Sequence, residues 1–261
     1  MIEESAHDFG GGLFGVLTRP AERARRVAVV LLNAGFIHRV GPFRLHVDVA
    51  RELAALGFAV LRVDEPGIGD APPKRGPDDV AAVRRAFDRL GELAGADRFV
   101  VGGLCSAADR AWKVALADAR VVGALLLDGY VRRGGYWYRL GQMQLLFGRG
   151  VGAFATLWRQ FSRPRDAADD AALRDWPTPE QARSGLARLV ERGVRVFALY
   201  TGGAATYFTH PRQFEATYGA AAHAAGVRFE HWREADHLFL QQRDRARLID
   251  AIRAWCDEEF R

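Results

Sequence analysis

Residues 100–109, VVGGLCSAAD, pass from an apolar run into a group of small residues that surrounds a cysteine. Gly103 and Ala107 stand two positions either side of Cys105. A side chain at a sharp strand-to-helix turn takes a strained backbone conformation, and only small neighbours leave room for such a turn. The pattern predicts a nucleophile elbow, with Cys105 between a strand and a helix. A helix N-terminus also favours the thiolate form of a cysteine.

Apolar runs of strand length recur along the chain, and helical patterns separate them. After a first run at residues 13–17, they are residues 27–32, 58–63, 98–101, 121–127, 194–200 and 227–232. Strands this apolar, separated by helices, belong to a mostly parallel sheet that is covered on both faces. The sequence therefore predicts a single α/β domain over residues 1–261.

Two helices can be placed from their apolar spacing. Residues 42–56 carry leucine and valine at spacings of three and four, and Gly57 follows in the position of a left-handed cap. Near the C-terminus, Leu248, Ile252 and Trp255 share one helical face with Cys256. Free cysteine is often buried and inert, so we expect Cys256 to be a small core residue.

The composition limits the classes of partner. The formal net charge is +5, but Lys74 and Lys113 are the only lysines, and acidic residues are interspersed among the arginines. A nucleic-acid-binding protein would need a clustered basic face, so we expect no nucleic-acid partner. Two cysteines far apart are typical of a reducing compartment. No signal region or membrane-spanning run is found, which predicts a cytoplasmic protein.

An aromatic segment interrupts the alternation after residue 129. Residues 130–180 mix glycines and arginines with large apolar side chains, and they follow a strand end, where ligands bind in such sheets. We expect a helical cap insertion here, in which Tyr136 and Trp137 contact the substrate. The alternative is an amphipathic helix on a membrane surface, which Arg139 and Gln142 make less favourable because they interrupt the apolar surface.

A base for the thiol is expected in a loop beyond a later strand. His237 follows the last apolar run and fits the chain order nucleophile, acid, histidine. The other histidines are less well placed. His231 lies within the strand, His210 and His223 lie on or near the preceding helix, and His38 lies beside an earlier loop.

The acid departs from the usual arrangement. In most enzymes with a nucleophile elbow, the acidic residue follows the second strand after the nucleophile. Here the corresponding loop, in ALYTGGAATYF at residues 198–208, holds no carboxylate. Asp128 closes the intervening strand at the same sheet edge and can orient the histidine from there. Two alternatives stay open: Asp128 caps a turn, or the cysteine and histidine work without a strong acid. Asp236, adjacent to His237, would need an unusual geometry.

Backbone amides are predicted to stabilise the oxygen of a reacting carbonyl. Ser106 is the rival nucleophile within the motif, but its side chain is expected to point elsewhere on the first helical turn. Its N–H is one expected donor, because it opens the helix after Cys105. The second is expected from the loop NAGF, residues 33–36, as the N–H of Gly35 or Phe36. Beside this loop, His38 and Arg39 are predicted to contact a phosphate or carboxylate of a carrier-bound substrate. We find no metal-ligand spacing and expect no metal or other cofactor.

Several segments together resemble the α/β-hydrolase proteins known as exosortase-A-system-associated hydrolases and their cysteine-elbow relatives. They are LCSAAD, NAGFIHRVGPFRLHVDVARELAALGFAVLRVD with GIGD, LLLDGY, YTGG with RQF downstream, and ADHLF. The resemblance spans most of the chain outside the insertion. It implies the α/β-hydrolase fold with Cys105 as nucleophile, His237 as base and Asp128 as acid, and it implies no substrate. The loop after Asp64 reads EPGIGDA where the resemblance implies a serine-containing version. Two roles are open for the added charge of Glu65, binding of a substrate amine or exposure to solvent, and we expect solvent.

Three functions follow from these residues. The first is a cysteine-nucleophile acyl hydrolase, a thioesterase or esterase that acts on a small-molecule ester or thioester through a covalent acyl-thioester intermediate. The second is an acyltransferase or offloading enzyme of a biosynthetic pathway, which passes the acyl group to an amine or hydroxyl and which a dry aromatic cap would favour. The third is a non-catalytic ligand-binding protein of the same fold, suggested by the loop without a carboxylate.

Overall fold

The computed structural model describes residues 1–73, 79–147 and 176–261. In these ranges eight strands form one sheet in the order β1-β2-β4-β3-β5-β6-β7-β8. The strands are β1 (Ile2–Asp8), β2 (Phe14–Pro20), β3 (Val27–Leu31), β4 (Ala59–Asp64), β5 (Arg98–Leu104), β6 (Val121–Leu127), β7 (Arg195–Thr201) and β8 (Val227–Trp232).

Strand direction divides the sheet into two parts. β1 pairs antiparallel with β2, and β2 pairs antiparallel with β4, whereas β3 to β8 all run parallel. In a parallel sheet the carboxyl ends of neighbouring strands meet at one edge, and ligands bind in the crevice outside those ends. The ends of β5, β6, β7 and β8 therefore come together, as the alternating sequence pattern predicts.

Seven α-helices lie in the described ranges, and the last of them follows β8. They are α1 (Leu45–Ala55), α2 (Asp79–Ala94), α3 (Ser106–Ala117), α4 (Gly135–Phe147), α5 (Pro179–Glu191), α6 (Arg212–Tyr218) and α7 (Gln242–Glu259). Short 3₁₀ turns occur at Pro42–Arg44, Gly202–Ala204 and Gly219–His223. None of the helices in these ranges is long and apolar enough to cross a membrane.

Each face of the sheet has its own hydrophobic core. Helices α1 and α7 cover one face, where Phe58, Trp255 and Cys256 are buried. On the other face Phe87 of α2 stacks on Phe99 of β5, with ring centroids 4.1 Å apart. Burial of each such aromatic side chain stabilises the fold by about 1.5–3 kcal/mol. Strands covered on both faces have apolar residues at successive positions, which explains the continuous apolar runs.

The structure differs from the sequence expectations at the N-terminal edge. Strand β1 is not predicted, because its residues are polar and largely exposed and show no apolar alternation. Backbone pairing with β2 holds it at the sheet edge, together with ion pairs of Glu4 to Arg51 and Arg62. The helix expected from residue 42 begins at Leu45, since Phe43 and Arg44 have positive φ angles of 49° and 66°. Gly57 does cap that helix, with φ 94°.

The predicted cap insertion is described in part. Helix α4 packs over the loop after β7, where the Gln142 side-chain amide donates to the carbonyl of Ala205 at 3.0 Å and the Tyr138 hydroxyl donates to that of Thr206 at 3.0 Å. Residues 148–175 of the predicted insertion, which include Phe154 and Trp158, lie outside the described residues. The side chain of Phe147 is not described either.

Candidate active site

The turn between β5 and α3 has the geometry that its small residues predict. Cys105 lies there with φ 61° and ψ −121°, and its N–H donates to the carbonyl of Leu127 at 2.8 Å. A Cβ on Gly103 would lie 2.4 Å from the Cβ of Ala107, so no larger residue fits at position 103. The strained backbone conformation lifts the Cys105 side chain out of the sheet, where it remains partly exposed.

His237 lies between Cys105 and Asp128. Its Nδ1 donates to Oδ2 of Asp128 at 2.7 Å, and its ring also hydrogen-bonds the Cys105 side chain. Burial would lower the pKa of His237, but its hydrogen bonds with Asp128 and Cys105 and the negative charges of both raise that pKa to about 10. A histidine with this pKa is an imidazolium at neutral pH, and a neighbouring imidazolium favours the thiolate form of a cysteine.

Asp128 is held by the strand that follows it in the chain. Its side chain is fully buried and accepts hydrogen bonds from the backbone N–H and the hydroxyl of Thr201, at 2.6 Å and 2.7 Å. The residue has a positive φ of 48°, and its carbonyl accepts a hydrogen bond from the Tyr207 hydroxyl at 2.8 Å. A carboxylate with several donors around it is fixed in orientation, so Asp128 can fix the ring of His237.

The loop after β7 contributes donors and space instead of a carboxylate. A Cβ on Gly203 would lie 2.2 Å from the backbone nitrogen of His237, and a Cβ on Gly202 would lie 2.0 Å from the carbonyl oxygen of Arg233. The loop that carries His237 therefore packs directly on these glycines. Sequence reasoning missed Thr201, although a hydroxyl residue at a strand end beside the acid was the available signal.

Two rivals for roles in this site have other contacts. Asp236 accepts from the N–H groups of Leu238 at 2.9 Å and Leu240 at 2.8 Å, so its carboxylate shapes the turn after His237. His231 packs edge-on against Phe208, and burial, with the nearby Arg233, lowers the pKa of His231 to about 4.

The loop after β3 lies against the cysteine turn through Gly35. The Gly35 N–H donates to Oγ of Ser106 at 2.9 Å, so this amide is already engaged within the protein. Phe36 is 78% exposed, and no acceptor for its N–H is found in the described ranges. Of the two amides that the sequence offers in this loop, that of Phe36 thus stays available to a ligand.

An ion pair between Arg110 and the buried Glu65 supports the same loop. Arg110 of α3 donates to the carbonyl of Asn33 at 2.6 Å and to the carboxylate of Glu65 at 2.9 Å. The Asn33 side chain accepts from the N–H of Glu65 at 2.7 Å and donates to the carbonyl of Ile37 at 2.8 Å. The expectation that Glu65 faces solvent is wrong, because this side chain is buried against Arg110.

Arg39 and His38 belong to a charge network with two aspartates. The Arg39 guanidinium hydrogen-bonds Asp64, Asp70 at 2.7 Å and His38 at 2.8 Å. These two carboxylates balance its charge, which weakens the prediction that Arg39 and His38 contact an acidic group of the substrate. Possible metal-ligating atoms of His38, Asp64 and Asp70 lie within 4.8 Å of one another. A nitrogen of the guanidinium already bonds all three side chains, so the arginine takes the place that a cation would need.

The two aromatic residues predicted to contact the substrate lie at the start of α4. Trp137 stacks on His210 with ring centroids 4.8 Å apart, and the guanidinium of Arg212 lies 4.6 Å from the Trp137 ring centroid. Tyr136 is 70% exposed and touches Trp137 edge-on. The Trp137 ring is thus committed to packing, and the substrate role of both residues stays a prediction.

A cavity of about 390 Å³ lies beside the cysteine turn, between α3 and α5. Its walls include Asp109 from the first turn of α3, and Gly129 and Tyr130, which directly follow Asp128. Trp176 closes one side and donates to Asp109 at 3.2 Å. The volume lies in the range of small-molecule sites. Cys105 does not line the cavity, which therefore adjoins the cysteine instead of enclosing it.

Comparison with known proteins gives structural matches only. Neither a protein-family model nor a curated protein sequence matches the chain. An esterase of Pyrococcus furiosus matches with a TM-score of 0.65 at 13% identity, over 100% of this chain and 92% of that one. A dienelactone hydrolase of Anabaena variabilis gives a TM-score of 0.59 at 15% identity, over 100% and 99% of the two chains. A soluble variant of the Saccharomyces cerevisiae monoglyceride lipase gives 0.59 at 13%, over 99% and 96%.

These matches extend over 92–99% of the neighbours' chains and 99–100% of this one. The chain therefore has the α/β-hydrolase fold, as the sequence resemblance implies. At these identities the likeness shows the fold alone, and the chemistry of this chain has to be argued from its own residues.

Proposed function

We propose that the protein is an acyl hydrolase of the esterase or thioesterase type, with Cys105 as nucleophile, His237 as general acid and base, and Asp128 as the residue that orients the histidine. The observation that carries the proposal is the continuous chain of contacts from Cys105 to His237 and from His237 to the buried Asp128. The solved structures named above include an esterase, a dienelactone hydrolase and a lipase, which supports ester-like substrates.

The reaction begins from the thiolate and imidazolium pair. The Cys105 sulfur attacks the carbonyl carbon, and the carbonyl π electrons move to the oxygen, which accepts hydrogen bonds from the N–H groups of Ser106 and Phe36. When the oxygen's electron pair returns, the bond to the leaving group breaks. The leaving thiolate or alkoxide takes the proton from His237.

Water completes the hydrolysis. Neutral His237 removes a proton from a water molecule, whose oxygen attacks the acyl carbon of the Cys105 thioester. Collapse of the second tetrahedral intermediate releases the carboxylic acid and returns the thiolate beside the imidazolium. An amine or hydroxyl in place of water gives the acyltransferase, the second candidate, through the same acyl-enzyme.

A thioester substrate suits this nucleophile. Exchange between a thiolate and a thioester replaces one carbon–sulfur bond by another, so the acyl-enzyme and the substrate are close in energy. The non-catalytic alternative is suggested by the absence of a carboxylate in the loop after β7. His237 nevertheless has a carboxylate partner, because Asp128 at the end of β6 hydrogen-bonds it.

The test is intact-mass spectrometry after mixing with activated acyl probes. We expect p-nitrophenyl acetate and acetyl N-acetylcysteamine to add one acetyl group to the wild-type protein, and none to Cys105→Ala. Cys256→Ala is the matched control and should be acetylated like the wild type. Free acid as the sole product favours the hydrolase, and amide formed in the presence of amines favours the acyltransferase. Equal acetylation of wild type and Cys105→Ala would contradict the proposal.

A further inference from the structure

Ser106 has a side-chain contact that its expected role as an amide donor does not explain. The hydroxyl oxygen is buried and accepts the Gly35 N–H at 2.9 Å. A serine hydroxyl has one proton to donate as well as lone pairs to accept. No acceptor for that proton is found in the described part of the chain. The hydroxyl that accepts from Gly35 therefore still has its proton to donate.

The place of this hydroxyl is determined by its neighbours. Ser106 directly follows Cys105, and its own N–H is the first amide of α3. Gly35 precedes Phe36, whose N–H is the other proposed donor. The Ser106 hydroxyl therefore lies between the two elements that are proposed to face the reacting carbonyl. Gly35 has φ 57° and open space where a Cβ would be, so its conformation serves the backbone contact and not side-chain packing.

We infer that the Ser106 hydroxyl is a third donor to the oxyanion and takes the position that the Gly35 amide would otherwise have. This inference rests on the proposed function. Gly35 then acts as a positioning residue, because its N–H fixes the hydroxyl oxygen so that the O–H points at the developing negative charge. The proton stays on Ser106, which donates a hydrogen bond to the carbonyl oxygen as Cys105 adds to the carbonyl carbon.

The contacts of the loop agree with a fixed arrangement. The carbonyl of Asn33, two residues before Gly35, is held by Arg110, which is itself on α3, four residues after Ser106. The Asn33 side chain holds the carbonyl of Ile37, two residues after Gly35. Donors that are fixed before the reaction need no reorganisation when charge develops, which is the source of their effect on rate.

The test compares Ser106→Ala and Ser106→Thr with the wild type. The acetylation rate of Cys105 by p-nitrophenyl acetate should fall on the order of 10²-fold in Ser106→Ala, the typical cost of losing one oxyanion donor. Threonine keeps the hydroxyl and should recover most of the rate. Ser5→Ala, an exposed serine on β1, is the matched control.

Alkylation by iodoacetamide separates an effect on the oxyanion from a general disturbance of Cys105. Alkylation of Cys105 forms no oxyanion, so its rate in Ser106→Ala should stay within about twofold of the wild type, while acetylation slows. Thermal unfolding shows that the variant is folded. Acetylation at the wild-type rate in Ser106→Ala, or an equal loss in both reactions, would overturn the inference and leave the proposed function intact. Absence of acetylation in the wild type would contradict both.

Discussion

The two cysteines of this chain lie in very different environments. Cys105 lies at a turn with positive φ, partly exposed, and it hydrogen-bonds His237, whose pKa is raised to about 10. Cys256 lies inside helix α7 with none of its surface exposed, packed in the core with Trp255 and Phe260. Burial raises the pKa of the Cys256 thiol far above its ordinary range. The fold thus keeps one thiol inert and places the other where charge can be stabilised.

The difference teaches that backbone position, more than residue type, decides what a cysteine can do. A thiol inside an apolar core has no nearby charge to balance a thiolate, so it behaves as a small hydrophobic residue. A thiol at the elbow stands outside the core, beside the residues that the ends of β6 and β8 supply. Substitutions at either cysteine, or at the residues around Cys105, test this difference.

Replacement of Cys105 should have the largest effect. We expect Cys105→Ala to lower turnover of activated esters and thioesters by on the order of 10⁴-fold or more, because the covalent route is lost. Cys256→Ala should turn over at the wild-type rate. Steady-state kinetics on both purified variants checks this, and a similar loss in both variants would show that the elbow is not what separates them.

Removal of the Asp128 charge should have the second-largest effect on activity. We expect Asp128→Asn to lower kcat by roughly 10³-fold, somewhat less than the cost in serine enzymes because a thiol ionises more readily. The hydrogen bond and charge of Asp128 raise the pKa of His237, so their loss lowers that pKa. The wild type should lose activity only as the pH rises through about 10, when His237 gives up its proton. In Asp128→Asn this loss should occur at lower pH.

The pH profile of kcat/KM between pH 6 and 11 measures both effects. An alkaline limb that is identical in the wild type and Asp128→Asn would mean that Asp128 does not set the protonation of His237. Thermal unfolding of the variant provides the control, because asparagine has nearly the size of aspartate and should leave the fold intact.

Loss of the Thr201 hydroxyl should have a smaller effect on kcat. A hydrogen bond to a charged group contributes about 1.5–3 kcal/mol, so Thr201→Val should lower kcat by roughly tenfold or more by loosening Asp128. Thr201→Ser keeps the hydroxyl and should recover the rate. If valine and serine have equal rates, the backbone N–H of Thr201 is sufficient to hold Asp128.

The smallest expected effect is on stability alone. Cys256→Ala removes one buried atom and leaves a small void, which should lower the free energy of unfolding by about 1–2 kcal/mol. In a domain of this size this corresponds to a decrease in Tm of about 2–4 °C per kcal/mol. Calorimetry on Cys256→Ala measures the decrease, and an unchanged Tm would mean that the thiol packs poorly.

The sequence predicts the main elements because buried parallel strands and amphipathic helices carry strong local patterns. The elbow can also be predicted from a local pattern, because the tight turn around Cys105 requires small residues at positions 103 and 107. Strand β1 is not predicted because backbone pairing and the ion pairs of Glu4 hold this exposed edge strand, and neither leaves an apolar pattern.

Contacts between distant segments are harder to predict. The bond from Gly35 to Ser106 and the pairing of Glu65 with Arg110 join positions 71 and 45 residues apart, and no local pattern marks them. Arg39 illustrates the same point, because its charge is paired with Asp64 at the end of β4 and with Asp70 in the turn that follows. Whether an amide or a charge is available to a ligand depends on such partners.

The most direct test of the central claim is the rate of iodoacetamide alkylation at each cysteine, resolved by peptide mapping, in the wild type and in His237→Ala at pH 6. A free cysteine with a pKa near 8.5 reacts slowly at this pH. We predict rapid alkylation of Cys105 in the wild type, roughly 10²-fold slower alkylation of Cys105 in His237→Ala, and almost none of Cys256 in either protein. A Cys105 rate no faster than that of a free cysteine, and unchanged by His237→Ala, would contradict the account.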